Sequence, residues 1–436
     1  MSGAETVVVG AGIAGLACAT ELVASGRGDL LVLEAAPRAG GPAETARVGE
    51  YLVERGPTTV RANPALLELI RRAGLTAIPA RRAAPAFVSN GAIVSLPPNL
   101  GALLRGELLP WGALLALLAE PFRPVRAGPR SVRELVAQRL GAGAAERLAD
   151  LVTLGVYGTT AENVGFESAF PALAESLERA GGRFSTLLLR SLFARGGATR
   201  LGVVSTEVGL GGLCDRLAGQ LGARLRTGTR VARARRAGDG FELEVGPAGE
   251  KLACRRLVLA IPPAAAARVL KAPRVTALLE QYRSVPQLLA AFALEEPACA
   301  ERWTGLGFLV PPRERLPLLG CLFPGNLFPG RAPKGALLLS VFAARALHAA
   351  SDAALARELA PVLKRLLGAA REPALLGVTR YPEGIPLYDV DHAGRTRALR
   401  AALAESGGPT LCGVGYDGVA FAAAAASGVA AARAPG

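Results

Sequence analysis

At 436 residues the chain has room for two or three domains of about 150 residues each. Apolar residues make up 51% and charged residues 20%, which argues for a large core and against wholesale disorder. The formal charge of +14 invites a nucleic-acid reading, but the cations are scattered and only 5% of residues are aromatic, leaving few stacking platforms. An anionic membrane surface or an acidic small substrate fits the charge better.

No window reaches about 18 uninterrupted apolar residues, which argues against a simple transmembrane helix. The nearest candidate, 100–118, carries Arg105, Glu107 and Pro110. The apolar run Thr6–Val9 follows no basic segment and leads straight into glycines, unlike a secretory leader, so a cytoplasmic location is expected. The cysteines (Cys18, Cys214, Cys254, Cys299, Cys321 and Cys412) form no CxxC pair and read as buried, reduced thiols. His348 and His392 are the only histidines, so zinc hydrolysis and Ser-His-Asp catalysis lack their parts. The chemistry has to be borrowed from a cofactor.

Thr6–Val9 reads as a short buried strand, followed by Gly10-Ala11-Gly12-Ile13-Ala14-Gly15 and a helix to about Ser25. A second strand, Leu30–Leu33, ends in Glu34. This is G-x-G-x-x-G between strand and helix with an acid 24 residues beyond the first glycine. Gly10 permits the tight turn, Gly12 lets a pyrophosphate approach the backbone, and Gly15 lets helix and strand pack closely. The helix N-terminus offers amides to the phosphates, and Glu34 can accept from a ribose diol while repelling a 2′-phosphate. That leaves NAD or FAD. The sequence then runs through Pro37-Arg38-Ala39-Gly40-Gly41 to Tyr51-Leu52-Val53-Glu54-Arg55-Gly56-Pro57. A second glycine pair and an E-x-G-P element at these places are features of FAD enzymes of the amine-oxidase superfamily.

From Val94 to about Arg200 the pattern is helical and irregular. Strands return near Thr229–Ala237, Phe241–Val245 and Arg256–Ile261, with further strand-like pieces at Phe308–Val310 and Ala336–Phe342. A helix is expected over Asp352–Leu367, and Gly413–Ala432 reads as a glycine turn feeding an Ala-rich helix.

With these motifs in order, the chain resembles the oxygen-dependent protoporphyrinogen oxidase family, within the FAD amine-oxidase superfamily, as a divergent member. The resemblance runs from about residue 5 to residue 432. It is carried by Glu120-Pro121-Phe122 with Ser131-Val132, by Gly155-Val156-Tyr157-Gly158, and by Ala169–Leu173. Gly305–Pro311 and Arg380-Tyr381-Pro382-Glu383-Gly384-Ile385-Pro386-Leu387-Tyr388 with His392 complete it.

The resemblance implies an α/β fold with an α+β substrate domain. A Rossmann-like FAD domain would be assembled from 1–60, 201–270 and 376–436. A mixed-sheet substrate domain would take 61–94 and 271–375, and a helical membrane-associating insertion 95–200. It further implies non-covalent FAD held by Gly10 to Gly15, Glu34, Ala35, Gly41, Pro42, Gly56, Pro57, Thr58, Thr59, Val231, Tyr381, Gly418, Val419, Ala420 and Phe421. Gly155 would present its backbone to the reacting ring carbon, with Leu306, Leu309 and Phe342 against the macrocycle. The implied reaction converts protoporphyrinogen IX or coproporphyrinogen III to the porphyrin, with dioxygen as acceptor and hydrogen peroxide as by-product. The cytoplasmic protein would sit peripherally on the membrane, with homodimerisation as the other use for that surface. No nucleic-acid partner and no metal are expected.

Three departures stand out. The place of a propionate-pairing cation reads Pro85-Ala86-Phe87, with Arg81 and Arg82 nearby. The C-terminal motif is reduced to Gly413–Phe421, and the element after Tyr157 ends in Thr159-Thr160. These leave two alternatives open: another amine-oxidase or desaturase-type FAD enzyme, or a flavin- or porphyrin-binding paralogue with impaired turnover.

Overall fold

Alternating burial organises the first strand. β1 (Gly3–Val9) sends Val8 to one side of a sheet and Val7 and Val9 to the other, all three buried. The computed structural model describes residues 3–81, 83–95, 112, 115–116, 119–122, 125, 131–144, 149–187 and 202–434. It divides into two units, the first comprising Met1–Ala80, Leu201–Arg283 and Gly394–Gly436. In that unit β1 lies between β2 (Leu30–Leu33) and β13 (Glu250–Leu259), parallel to both. β10 (Leu225–Arg226) extends one edge beside β2, and β19 (Thr410–Leu411) pairs with β13. β11 (Val231–Ala237) and β12 (Gly240–Val245) continue from β13 as antiparallel strands.

Helices cover both faces, which is why the central strands are almost entirely apolar. On the Val8 side lie α1 (Ile13–Ala24), α2 (Pro64–Arg72), α4 (Gly209–Leu221) and α6 (Phe421–Arg433). The opposite cluster gathers Val7, Leu31 and Leu257 with Ala266, Val269 and Leu399. α6 crosses α1 at close range: a Cβ on Gly428 would run into the Ala14 carbonyl. A hairpin of β3 (Thr45–Val48) and β4 (Tyr51–Glu54) sits beside α4. β5 (Val60–Arg61) and β6 (Ile78–Pro79) pair with β9 (Val203–Ser205) in a small third sheet.

The second unit comprises Arg81–Arg200 and Ser284–Ala393. Its sheet is ordered β18 (Ala374–Pro386), β14 (Ser284–Leu294), β17 (Leu337–Ala343), β16 (Leu318–Leu322), β15 (Gly307–Leu309), β7 (Pro85–Ser89), β8 (Ala92–Ser95). All neighbours are antiparallel except β15 and β7. One face packs Phe308, Cys321, Val341 and Phe292 on α5 (Asp352–Leu367) through Leu355, Leu359 and Leu363. The other face carries a different row: Val94, Phe87, Leu309, Gly320, Phe342, Leu289 and Thr379 stand in register across all seven strands. Side chains in one register row share one face. α3 (Asp150–Tyr157) packs there, its Leu151 touching the Phe87–Leu309 cluster.

The unit boundaries differ from those expected. Residues 61–80 and 271–283 pack within the first unit, because β5 and β6 pair with β9 and because Leu279 and Tyr282 join the cluster on the Val7 side of the sheet. Residues 376–393 belong to the second, because β18 is the long edge partner of β14.

The described part of 95–200 is helical and belongs to the second unit. Glu120 is fully buried and accepts from the Phe184 and Ser185 amides at 3.0 and 3.2 Å, so the acid of Glu120-Pro121-Phe122 does structural work. Among the described residues no helix is long and apolar enough to cross a membrane. Of the segment expected to meet a membrane, Leu115 is 66% exposed, while Leu100–Leu104, Leu114, Leu117, Leu118, Arg123, Arg126 and Arg130 lie outside the described residues, as does Arg82.

Candidate functional site

The glycine turn between β1 and α1 is shaped by contacts on every side but one. A Cβ on Gly10 would come within 2.5 Å of the Ala260 carbonyl, and one on Gly15 would collide with the Gly10 carbonyl. A Cβ on Gly12 meets no heavy atom within 4 Å. Gly12 is also the N-cap of α1 and offers no side-chain acceptor to the first amides. The motif therefore presents open space directly above uncapped N–H groups, at the positive end of a helix dipole.

The second turn closes against the first. Gly40 donates from its N–H to the Ala11 carbonyl at 2.8 Å and bridges to Gly12. Gly40 and Gly41 have φ of +99° and +57°, successive left-handed residues that only a glycine pair adopts without strain. Arg38 holds this turn through the carbonyls of Ala39, Gly41 and Ala43, at 3.0, 2.7 and 3.1 Å. Pro42 continues the turn, and its carbonyl leaves no room for a Cβ on Gly56, which fixes the start of Gly56-Pro57-Thr58-Thr59.

Glu34 directly follows β2, and its carboxylate accepts from the Ala11 and Ala36 amides at 2.7 and 2.8 Å. Its own carbonyl receives the Thr229 N–H at 2.7 Å, two residues before Val231 at the start of β11. Ala35 follows Glu34 directly. Gly418 (φ +117°), Val419, Ala420 and Phe421 form the entry to α6, whose N-cap, Ala420, has no side-chain cap either. Asn63 supports that entry, donating to the Ala422 carbonyl at 2.7 Å. Glu54, by contrast, is buried and caps α4 through the Leu210 amide at 2.9 Å, so the acid of E-x-G-P is a structural group.

These residues fit a dinucleotide flavin. Uncapped helix amides suit a pyrophosphate, the open floor at Gly12 suits its close approach, and Glu34 keeps lone pairs for a ribose.

In the second unit, exposed Gly155 of α3 lies over Leu309: a Cβ there would be 3.5 Å from Leu309 Cδ1. Phe342 shares the Leu309 row two strands away, and both are half-buried. Leu306 precedes β15, its backbone bonded to Ala84 and Phe323, and the sheet does not place it in that row. Tyr381 lies on β18 opposite Gln287. Ala86 faces the α5 core, so the place expected to hold a propionate-pairing cation carries an apolar side chain turned inward.

Sequence reading missed Gln287. This buried amide presses on Gly158, where a Cβ would be 2.6 Å from its Nε2, and on Gly384, where one would be 2.7 Å from its Cγ. Its signal was a lone polar residue in Val285-Pro286-Gln287-Leu288-Leu289, an otherwise apolar strand.

Comparison with known proteins agrees with this architecture. The coproporphyrinogen III oxidase of Propionibacterium freudenreichii subsp. freudenreichii is 30% identical, covering 94% of this chain and 87% of its own. The chloroplastic protoporphyrinogen oxidase of Nicotiana tabacum is 26% identical, over 92% and 80%. A candidate protoporphyrinogen oxidase from Exiguobacterium sp. 255-15 has a similar solved structure, with TM-score 0.83, 24% identity, and coverage of 99% and 98%. Cyclohexylamine oxidase from Brevibacterium oxydans IH-35A shares the fold at TM-score 0.72 and 18% identity, over 98% of each chain. A family model described as flavin containing amine oxidoreductase matches residues 13–434. The chain therefore belongs to the flavin-containing amine oxidoreductases, and it is an oxidoreductase of that family.

Proposed function

We propose that the chain is an FAD-dependent oxidase converting a porphyrinogen to its porphyrin, with dioxygen as electron acceptor. The supporting observation is the exposed backbone of Gly155 over Leu309, on the sheet face that also carries Phe342. The chain is covered over more than nine-tenths of its length by relatives named for porphyrinogen oxidation.

FAD supplies a two-electron acceptor for a C–H bond and a route for those electrons to dioxygen, giving hydrogen peroxide. The residues supply position and dryness. The Gly10–Gly15 turn, Glu34 and the Gly40–Gly41 pair bind the adenosine diphosphate half. Leu309 and Phe342 offer an apolar platform to a macrocycle, and Gly155, lacking a side chain, lets a ring carbon come close to the backbone. Holding the ring flat in one orientation is the protein's main contribution, since no histidine or metal is required. Non-covalent binding is part of this reading, and the burial of all six cysteines in the cores supports it.

Oxygen uptake and peroxide formation with protoporphyrinogen IX, coproporphyrinogen III and a panel of amines test this reading. Turnover of either porphyrinogen above its spontaneous oxidation is expected. Turnover of amines alone would replace it with the amine-oxidase reading.

The reading extends to a peripheral position on an anionic membrane from the cytoplasm. Exposed Leu115 and Phe122, 66% and 89% accessible, support it. Wild-type protein is expected to sediment with anionic liposomes at low salt. Failure to do so would favour a homodimer across the same surface.

A further inference from the structure

We infer that Gln287 is a positioning residue for the proposed reaction: its side-chain amide is the spacer that sets how far Gly155 of α3 stands above the Leu309–Phe342 platform. This rests on the porphyrinogen reading and concerns the second unit alone.

Gln287 lies on the platform face. Leu288, Ala290 and Phe292 of β14 point into the α5-side core, so Gln287 and Leu289 alternate to the other side, where Leu289 stands beside Phe342. The strand pairing is irregular at this point. β14 advances two residues from Val285 to Gln287, while β18 advances four between their partners, Tyr381 and Ile385. The surplus of β18 falls within 382–384, and a bulge of this kind re-aims the side chains beside it.

Two glycines close on the Gln287 side chain. A Cβ on Gly158 would be 2.6 Å from its Nε2 and 3.0 Å from its Oε1, and one on Gly384 would be 2.7 Å from its Cγ. The residue is 7% exposed, and its Nε2 donates to the Val285 carbonyl at 3.4 Å. A planar amide admits both glycines, whereas a branched methyl end would force one of them back.

Gly158 carries the contact into α3. It ends that helix in the left-handed region, at φ +62°, with its N–H on the Leu154 carbonyl at 3.1 Å. Gly155 lies three residues earlier, on the same side of the helix. The start of α3 is fixed independently. Asp150 accepts from Arg133 and from the Ala161 amide, each at 2.9 Å, and Leu151 packs on the Phe87–Leu309 cluster. With its start pinned and its end resting on Gln287, the helix has one height over the sheet. That height decides how closely a ring carbon meets the Gly155 backbone, and a misplacement of about 1 Å at a reacting atom can cost roughly 100-fold in rate.

Bleaching of the flavin on anaerobic mixing with protoporphyrinogen IX measures the reductive step, and fluorescence quenching gives the dissociation constant of protoporphyrin IX. Gln287→Asn keeps the amide but draws it back by one methylene. It is expected to slow bleaching about tenfold or more. The dissociation constant should move less than about threefold, since the platform residues are untouched. Gly158→Ala should slow bleaching too, and should do so much less in a Gln287→Ala background, where the added methyl has room. The backbone strain at Gly158 is common to both backgrounds and cancels in that comparison. Melting temperature and flavin absorbance identify the variants that stay folded and loaded, and Gly158→Ala reaches the same contact without altering Gln287. Folded, flavin-loaded variants that bleach at the wild-type rate, or that lose rate and affinity in equal measure, would overturn the inference. Equal effects of Gly158→Ala in the two backgrounds would do the same. Wild-type turnover of a porphyrinogen would leave the functional reading standing in each of those cases. Wild type that is bleached by neither protoporphyrinogen IX nor coproporphyrinogen III would remove the reading and this inference together.

Discussion

Two glycines three positions apart do different work, and substitution separates them. Gly15 is closed in by the Gly10 carbonyl, so Gly15→Ala must displace backbone and should lower the melting temperature sharply. Gly12 faces open space, so Gly12→Val should melt within a few degrees of wild type yet purify without flavin absorbance. A Gly12→Val protein that retained FAD would show that this floor is not the pyrophosphate site. Glu34 is a second such residue. Its carboxylate receives two backbone amides, and a Gln there turns an NH₂ group toward one of those donors. Glu34→Gln is expected to weaken FAD binding tenfold or more, on the order of 1.5–3 kcal/mol for a charge-assisted hydrogen bond, measured by flavin titration.

At the scale of elements, buried acids fasten the helices that carry the cofactor turns. Glu54 joins β4 to α4 by accepting from Thr45 Oγ1 at 2.7 Å and the Leu210 amide at 2.9 Å. Glu54→Gln leaves one of these donors unsatisfied in the core and should cost about 1–3 kcal/mol in urea unfolding. Glu21 of α1 reaches Arg72 of α2 and Arg433 of α6, each at 2.9 Å. Burial alone would raise its pKa, but the guanidiniums of Arg433 and Arg72 outweigh that and hold it below 4.5. A depressed carboxylate pKa contributes stability in full above the unfolded value and loses it as pH falls through the lower, folded one. Wild type should therefore lose part of its advantage over Glu21→Gln below about pH 4.5, seen as converging melting temperatures.

For the whole molecule, burial sets the behaviour of the thiols. All six cysteines are buried; burial pushes Cys18 and Cys254 up to about 12 and raises Cys412 in the same direction. The native protein should resist a thiol-reactive disulfide reagent at pH 8, and six equivalents should react once it is unfolded in denaturant. Rapid labelling of the native state would mean that the core clusters holding these residues open locally. Both units enter this test, since Cys18, Cys214 and Cys412 belong to one α1-side core and Cys299 and Cys321 to the α5-side core.

The glycine-turn end of the first unit was legible because its determinants are local. Strand, glycine turn, helix and terminal acid occupy Thr6–Glu34, and each position follows from steric or hydrogen-bonding needs within about thirty residues. The helix Asp352–Leu367 falls where the sequence puts it, since its apolar spacing and Ser351 cap are local too. The proposed platform in the second unit was legible only by resemblance. That Leu309 and Phe342 share a face, while Phe308 and Val341 face α5, depends on strand register, which pairing across long loops sets. The same dependence explains why 376–393, expected with the FAD-binding segments, packs in the second unit: Arg380–Pro386 holds two prolines and a glycine, yet edge pairing with β14 makes it strand. Nothing near Gln287 in sequence says what it touches. Gly158 and Gly384 reach it from elsewhere in the chain, so only tertiary packing decided those neighbours.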